Sequence, residues 1–99
     1  MAKYILSKKA IEDLSNIWDY TYDTWSEKQA DKYYRMILEN CDTISKNPKL
    51  GKEYEEIVKD LEGFRAGRHI LFYRKQDMNA IQIIRILHEQ MDLKNRINE

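Results

Sequence analysis

The spacing of apolar residues changes partway along this 99-residue chain, and that change constrains the fold more than any other feature. In the first half, apolar side chains recur every three or four residues over two segments. The first runs from residue 8 to about residue 24, and the second begins at Ser26–Gln29 and ends at Asn47-Pro48. This spacing is typical of amphipathic helices. The second half instead holds β-branched and aromatic runs, which predict three strands at residues 62–67, 68–75 and 80–87.

Residues that begin and end helices stand at the borders of these segments. Ser7 follows a short predicted strand over residues 2–6, and its hydroxyl can accept a hydrogen bond from an amide of the first helical turn. Ser26–Gln29 has the spacing of a capping box, and Asn47-Pro48 ends the second helix because proline cannot continue it. Residues 49–60 are charged and lack periodicity, which predicts a connector.

The predicted order is βααβββ, an α+β fold in which a helical hairpin packs on a small, mostly antiparallel sheet. A chain of this length holds one hydrophobic core, so residues 1–99 are expected to form a single domain. Apolar residues on both faces of the last strand indicate that it lies inside the sheet. The longest apolar run is the four-residue stretch Ile70–Tyr73, so we expect a cytoplasmic protein without a membrane segment.

Charge is balanced overall, with 17 basic and 17 acidic residues, but it is unevenly distributed. Residues 1–62 contain ten Lys and Arg against thirteen Asp and Glu, whereas residues 63–99 contain seven against four. The predicted sheet is therefore the basic half, and its strands carry four arginines: Arg65, Arg68, Arg74 and Arg85. Because arginine recognises phosphate and carboxylate groups, these residues predict an anion-facing surface. The alternative is that they pair with helix carboxylates such as Asp13 or Asp31.

The sequence lacks the residue patterns that most kinds of catalytic site require. Cys41 lies on the apolar face of the second helix, where a buried inert thiol is expected. The two histidines lack metal-ligand spacing, and three glycines cannot form a phosphate-binding loop, so no metal or cofactor is predicted. Metal-free RNA cleavage remains possible, with Arg65, Arg68 and Arg85 neutralising charge and His88 acting as acid or base. The alternative for His88 is a strand-end histidine bonded to backbone or to a carboxylate.

Several short motifs, in order and at fixed spacing, cover nearly the whole chain. They are Leu6-Ser7 before Ala10, Asp13-Leu14-x-x-Ile17-x-x-Tyr20, Ala30 with Tyr33, Asn47-Pro48-x-x-Gly51, Phe64-Arg65-x-Gly67-x-His69-x-Leu71-Phe72-Tyr73-Arg74, and Ile83-Ile84-Arg85-Ile86-Leu87-His88-x-x-Met91-Asp92. In this pattern the chain resembles the ParE family of the ParE/RelE toxin-antitoxin superfamily.

The resemblance implies a non-enzymatic toxin of a type II toxin-antitoxin system, of the kind associated with plasmid stabilisation. Such a toxin inhibits DNA gyrase, stabilises cleaved DNA, and is neutralised by a ParD-like antitoxin, through which a hetero-oligomer can bind operator DNA. The candidate target-binding residues are Arg65, Arg68, Arg74, Arg85 and His88.

RelE-type relatives instead cut messenger RNA in the ribosome, using a basic, aromatic and sometimes histidine cluster on the concave sheet. This chain matches that set incompletely, because His88 is followed by Glu89-Gln90-Met91-Asp92 without an aromatic residue, and the two acids would repel a phosphate. The alternatives are therefore a RelE-like nuclease or an inactive toxin-fold binding module.

Aromatic residues in and between the two predicted helices exceed what is needed to cover a small sheet. Rings left exposed in this way are typical of a surface that a partner covers. We therefore predict that the antitoxin lays an amphipathic segment along the helical hairpin and the adjoining sheet. The candidate antitoxin-binding residues are Trp18, Tyr20, Tyr22, Trp25 and Tyr34.

Overall fold

The computed structural model describes residues 3–97. Two long helices and a five-stranded sheet account for most of this range, and a short C-terminal helix follows the last strand. The elements are β1 (Lys3–Leu6), α1 (Lys8–Thr24), α2 (Glu27–Lys46), a 3₁₀ turn (Pro48–Leu50), β2 (Lys52–Glu53), β3 (Glu62–Ala66), β4 (His69–Asp77), β5 (Ala80–His88) and α3 (Leu93–Ile97).

Both predicted helix starts are confirmed. The Ser7 side chain accepts a hydrogen bond from the Ala10 amide at 3.0 Å, and the Ser26 side chain accepts one from the Gln29 amide at 3.1 Å. Each bond satisfies an amide that the first helical turn leaves without a partner. Asn47 caps the C-terminal end of α2.

The sheet has the order β1-β5-β4-β3-β2, with β1 parallel to β5 and every other pair antiparallel. The prediction that β5 lies inside the sheet is confirmed, since β1 and β4 flank it. The predicted βααβββ order is also confirmed, with two additions. The predicted connector contains the two-residue strand β2, and α3 follows β5, because both segments are too short for a periodic pattern to reveal them.

Hydrophobic clusters form on both faces of the sheet. On the helix side, α1 and α2 cover a cluster that includes Leu14, Ile37, Cys41 and Tyr73. On the opposite face, a second cluster forms around Leu61, Ile70, Phe72 and Leu87, against which side chains from residues 54–58 and α3 pack. The sheet is therefore shielded on both sides, as its apolar strands require.

Cys41 is fully buried in the helix-side cluster, and burial raises the pKa of its thiol to about 12. Because the thiolate is the reactive form, this cysteine is an inert core residue, as its place on the apolar face of α2 predicts. No helix within residues 3–97 has the length and apolar character needed to cross a bilayer.

Candidate functional site

Two histidines face each other at the end of the sheet next to the β3–β4 turn. His69 begins β4 and pairs across the strands with His88, the last residue of β5, and the two rings meet edge to face with centroids 5.2 Å apart. Tyr33 of α2 reaches the same point, and its hydroxyl lies 2.6 Å from His69 Nδ1. The strand pairing and the helix together fix this cluster.

Hydrogen bonds orient both imidazole rings. Tyr33 Oη accepts the Arg68 amide at 3.0 Å and also lies 2.6 Å from His69 Nδ1. The Gln90 amide donates to His88 Nδ1 at 3.1 Å, so this nitrogen of His88 is an acceptor. At His69, the direction of the bond to Tyr33 depends on which ring nitrogen carries the proton.

Burial dominates the electrostatics of this cluster. Burial, followed by the neighbouring His88, lowers the pKa of His69 from its usual 6.5 to about 4. Burial also raises the pKa of Tyr33. His69 is therefore neutral at physiological pH and acts there as a hydrogen-bonding group rather than as a cation.

The β3–β4 turn brings two arginines to one carboxylate. Gly67 adopts φ +63°, and a Cβ atom at this position would lie 2.9 Å from the Tyr33 hydroxyl, so the tight turn requires glycine. The turn places Arg65 and Arg68 on either side, and both contact the carboxylate of Glu89, Arg68 Nη1 at 3.8 Å from Glu89 Oε1. The arginines, Glu89, the two histidines and Tyr33 form what we call the turn cluster: Tyr33, Arg65, Arg68, His69, His88 and Glu89.

Arg85 lies elsewhere, in a buried ion pair with Asp13 of α1. Its Nε and Nη2 atoms donate to the two Asp13 oxygens at 2.8 and 3.0 Å, and Nη1 donates to the Arg96 carbonyl at 2.6 Å. Asp13 Oδ2 also accepts the Ile86 amide at 3.0 Å, at the part of the β5 edge that β1 does not cover. Arg85 therefore joins α1, β5 and α3.

Arg74 occupies a third location, with an exposed side chain on β4 near Leu61, Glu62 and Lys75. The structure thus separates the five predicted target-binding residues. Arg65 and Arg68 share the carboxylate of Glu89, whereas Arg74 is apart from them. His88 and Arg85 line one groove beside α1.

The helical hairpin exposes much of its aromatic surface. Tyr20 and Trp25 are 69% and 73% exposed, and Tyr22 and Tyr34 are also exposed. Trp18 is half-buried, stacks on Tyr22 with centroids 5.3 Å apart, and donates from Nε1 to Asp31 Oδ1 at 3.1 Å. The prediction that some of these rings stay exposed is therefore confirmed, and Asp31 pairs with a tryptophan rather than with a strand arginine.

An open groove of about 690 Å³ continues this surface from α1 onto the end of the sheet. Its exposed area is mostly apolar, with Ile17, Tyr20 and Met91 among the lining residues. Polar and charged side chains, including His88 and Arg85, also line it. In the part of the chain that the structure covers, no three His, Cys, Asp or Glu side chains are grouped to hold a metal ion.

Comparison with known proteins identifies the family. The model described as the ParE toxin of the type II toxin-antitoxin system parDE matches residues 4–93. The chain belongs to the ParE toxin family.

Similarity to individual toxins extends over nearly the whole chain. Toxin ParE1 of Mycobacterium tuberculosis is 36% identical over 97% of this chain and 98% of the relative. Toxin ParE1 of Caulobacter vibrioides is 32% identical over 95% and 96% of the two chains, and Toxin ParE of Escherichia coli is 28% identical over 98% and 94%. The resemblance expected from the motifs is confirmed.

Two solved structures share the fold. A chain of the chromosomal ParDE toxin-antitoxin system from P. aeruginosa aligns with a TM-score of 0.76 at 21% identity, over 89% of this chain and 96% of that one. A chain of the toxin-antitoxin complex RelBE2 from Mycobacterium tuberculosis aligns with a TM-score of 0.66 at 19% identity, over 89% and 98%. The ParE/RelE-like α+β fold is therefore confirmed for this ParE toxin.

Some residues of the ParE motifs contact each other in the folded protein. Asp13 and Arg85 form the buried pair, and Tyr33 and His69 form a hydrogen bond, although each pair is far apart in the sequence. Sequence reasoning missed Tyr33 and Glu89 as parts of the turn cluster. The sequence shows Tyr33 only as part of a motif with Ala30, and it shows Glu89 as an acid next to His88 without its two arginine partners.

Proposed function

We propose that this ParE toxin inhibits DNA gyrase and stabilises cleaved DNA in the cytoplasm, and that it is not an enzyme. Its membership of the ParE family supports this proposal, because gyrase inhibition is what the resemblance implies. The observation that carries the proposal is the composition of the sheet face opposite the helices. That face is filled by Ile70, Phe72 and Leu87 and covered by α3 and by side chains from residues 54–58.

By the resemblance, a metal-free nuclease of the RelE type would use a basic, aromatic and sometimes histidine cluster on the sheet. In this toxin the histidine pair lies instead on the helix side, because His69 bonds Tyr33 of α2. The one strand arginine that buries its side chain, Arg85, is engaged by Asp13. These placements favour gyrase inhibition over RNA cleavage.

RNA cleavage is still the second candidate, because the turn cluster contains two histidines beside two arginines. In that role His88 would be the acid or base, while Arg65 and Arg68 would neutralise the phosphate. Glu89 opposes this role, since its carboxylate already contacts both arginines. A toxin fold retained only for binding partners is the third candidate.

A gyrase assay separates these candidates. We expect the purified toxin to inhibit supercoiling of relaxed plasmid and to increase the amount of cleaved DNA trapped with gyrase. Relaxation of plasmid by an unrelated topoisomerase is the control and should not change. Unchanged supercoiling at large molar excess, together with cut messenger RNA in a translation extract, would reverse the order of the first two candidates. Absence of both effects would favour the binding module.

We also propose that a ParD-like antitoxin neutralises the toxin by covering the helical hairpin and the groove beside it, and that the resulting hetero-oligomer binds operator DNA through the antitoxin. Exposed Tyr20 and Trp25 support this site, since tyrosine and tryptophan anchor interfaces by burying large area. The mostly apolar groove adjoining Tyr20 extends the surface toward the sheet. The outer edge of β1 offers backbone groups for added strand pairing.

Antitoxin binding can be tested by substitution and by hydrogen exchange. Tyr20→Ala and Trp25→Ala are each expected to weaken antitoxin binding about tenfold, in line with buried aromatic anchors. Met78→Ala, in the fully exposed β4–β5 turn, is the matched control and should have no effect. Protection from exchange confined to residues 76–79 and the C-terminal tail, with none on α1 or α2, would contradict this site.

A further inference from the structure

Residues 48–61 wrap around the outer edge of the sheet from one face to the other. At the start of this segment, the Pro48 carbonyl accepts a hydrogen bond at 2.6 Å from Tyr73, which belongs to the helix-side cluster. The segment then forms β2 on the edge of β3, and side chains from residues 54–58 pack on the opposite face. We propose that this segment, which we call the edge strap, is held by two tyrosines and opens as one unit while the helices and the rest of the sheet stay folded.

The first point of attachment is the Tyr73 hydroxyl. Tyr73 is fully buried, and burial, followed by the charge of Glu62, raises the pKa of its hydroxyl, which therefore keeps the proton that it donates to Pro48. The backbone of Gly51 lies against this hydroxyl, and a Cβ atom at Gly51 would overlap it. The close approach explains why glycine ends the Asn47-Pro48-x-x-Gly51 motif, to which the proposed function gives no role.

The second point of attachment is the Tyr54 ring on the opposite face. This ring meets Phe72 edge to face with centroids 5.1 Å apart, a geometry that aromatic pairs favour. A Cβ atom at Gly63 would lie 2.7 Å from Tyr54 Cε2, so the ring fits only because residue 63 has no side chain. Each face of the sheet therefore holds the edge strap through a tyrosine packed against a glycine.

The backbone of the edge strap has the properties of a separate opening unit. Its ladder with β3 has two residue pairs, and other bonds close turns inside the strap, from the Tyr54 amide to the Leu61 carbonyl at 2.8 Å and from the Val58 amide to the Tyr54 carbonyl at 3.2 Å. Short turns are not stable alone in water, so these bonds are lost together when the strap leaves the sheet. The helices α1 and α2 and the nine-residue strands β4 and β5 form their backbone bonds without it.

Native-state hydrogen exchange of the full chain at low denaturant tests the proposal. The amides of Tyr54, Val58 and Leu61 should exchange through one shared opening, at a lower free energy than the amides of α2 and β5. Tyr73→Phe removes the bond to Pro48 and should speed exchange of the three strap amides roughly three- to tenfold.

A variant outside the edge strap separates its opening from unfolding of the whole protein. Ile37 is fully buried in α2, and Ile37→Val should speed exchange of the α2 amides roughly two- to tenfold. The strap amides should not change, because the open form still contains the α2 contacts. Tyr54→Phe is the matched control for Tyr73→Phe, since it removes a hydroxyl within the strap and keeps the ring.

Gly51→Ala tests the first point of attachment from the other side. The added Cβ atom pushes the backbone away from Tyr73, so the strap amides should exchange roughly tenfold faster or more. In the Tyr73→Phe background the same substitution should have a smaller effect, because the hydroxyl oxygen is the atom nearest to the new Cβ.

Three results would overturn the proposal. The first is an equal effect of Ile37→Val on the strap amides and on α2, because the strap would then open only with the whole protein. The second is an effect of Tyr54→Phe as large as that of Tyr73→Phe, and the third is an effect of Gly51→Ala that Tyr73→Phe leaves undiminished. Because the assay contains neither gyrase nor antitoxin, its outcome is independent of the proposed function.

Discussion

Two arginine–carboxylate contacts in this toxin use the same chemistry in different environments. In the pair of Arg85 and Asp13, the side chains are 10% and 12% exposed. In the pair of Arg65 and Glu89, they are 66% and 21% exposed. The buried pair also satisfies the Ile86 amide and the Arg96 carbonyl, whereas the exposed pair lies at the tip of a turn.

The difference shows that burial, rather than residue type or strand position, decides what a strand arginine does. A buried pair stabilises the fold mainly because either partner alone would be an uncompensated charge. An exposed pair is surrounded by water, so breaking it costs little and its groups are accessible to another molecule. Arg85 is therefore expected to act in stability, and Arg65 and Arg68 in binding.

The largest expected effect is the loss of stability on removing the buried arginine. Arg85→Ala leaves Asp13 buried without its cation and frees the Arg96 carbonyl from its donor, so the free energy of unfolding should fall by about 3–5 kcal/mol. Denaturant unfolding measures this change. The matched variant Arg65→Ala should lose less than about 0.5 kcal/mol. Equal losses in the two variants would contradict the comparison.

A smaller effect is expected from the pH dependence of His69. Its folded pKa of about 4 lies below the usual 6.5, so the neutral form favours folding. This contribution is fully present above pH 6.5 and is lost as pH falls from 6.5 toward 4, on the order of 1–2 kcal/mol because the ring is only partly buried. His69→Gln should flatten the dependence of stability on pH in that range, whereas Arg65→Ala should leave it unchanged. A steep dependence retained by His69→Gln would assign it to other groups.

A third effect concerns the hydroxyl that joins α2 to the turn cluster. Tyr33→Phe removes the hydroxyl that bonds His69 Nδ1 and accepts the Arg68 amide, and both bonds lie at least partly in a buried environment around Tyr33. We expect a loss of about 1 kcal/mol in the free energy of unfolding. The contribution of the Tyr33 hydroxyl to stability is measured by comparing thermal unfolding of Tyr33→Phe with that of Tyr34→Phe. Tyr34 is the control because its ring is exposed on the same helix. Equal stability of the two variants would show that the bond contributes nothing.

Most of the fold could be predicted from the sequence because its signals are local. Ser7 and Ser26 mark helix starts through bonds to amides three residues away, and helical or strand periodicity needs only a short window. β2 and α3 escaped prediction because two and five residues are too few to show a period. Their positions depend on tertiary packing, α3 through its side chains on the second cluster and through the Arg85 bond to the Arg96 carbonyl.

The candidate site was less predictable because its contacts join distant residues. The pair of Asp13 and Arg85 is separated by 72 positions, and Tyr33 and His69 by 36. The sequence indicated that Arg85 could pair with a helix carboxylate, but the choice between that role and an exposed one depends on tertiary packing. Phe72 pairs with Arg85 whereas Tyr73 pairs with Ile83, and a register shift of this kind cannot be read from a periodic pattern.

The smallest expected effect on stability comes from the most exposed member of the turn cluster. Arg68 is 73% exposed and its contact with Glu89 is long, so Arg68→Ala should change the free energy of unfolding by less than about 0.5 kcal/mol. Toxicity after induced expression should nevertheless be lost, because Arg68 is one of the residues predicted from the sequence to bind the target. Arg74→Ala, an exposed arginine apart from the cluster, tests whether any surface cation suffices. If Arg68→Ala destabilises the toxin as much as Arg85→Ala does, burial does not explain the different roles of the two arginines. If Arg68→Ala is folded and still toxic, the contact with the target lies elsewhere.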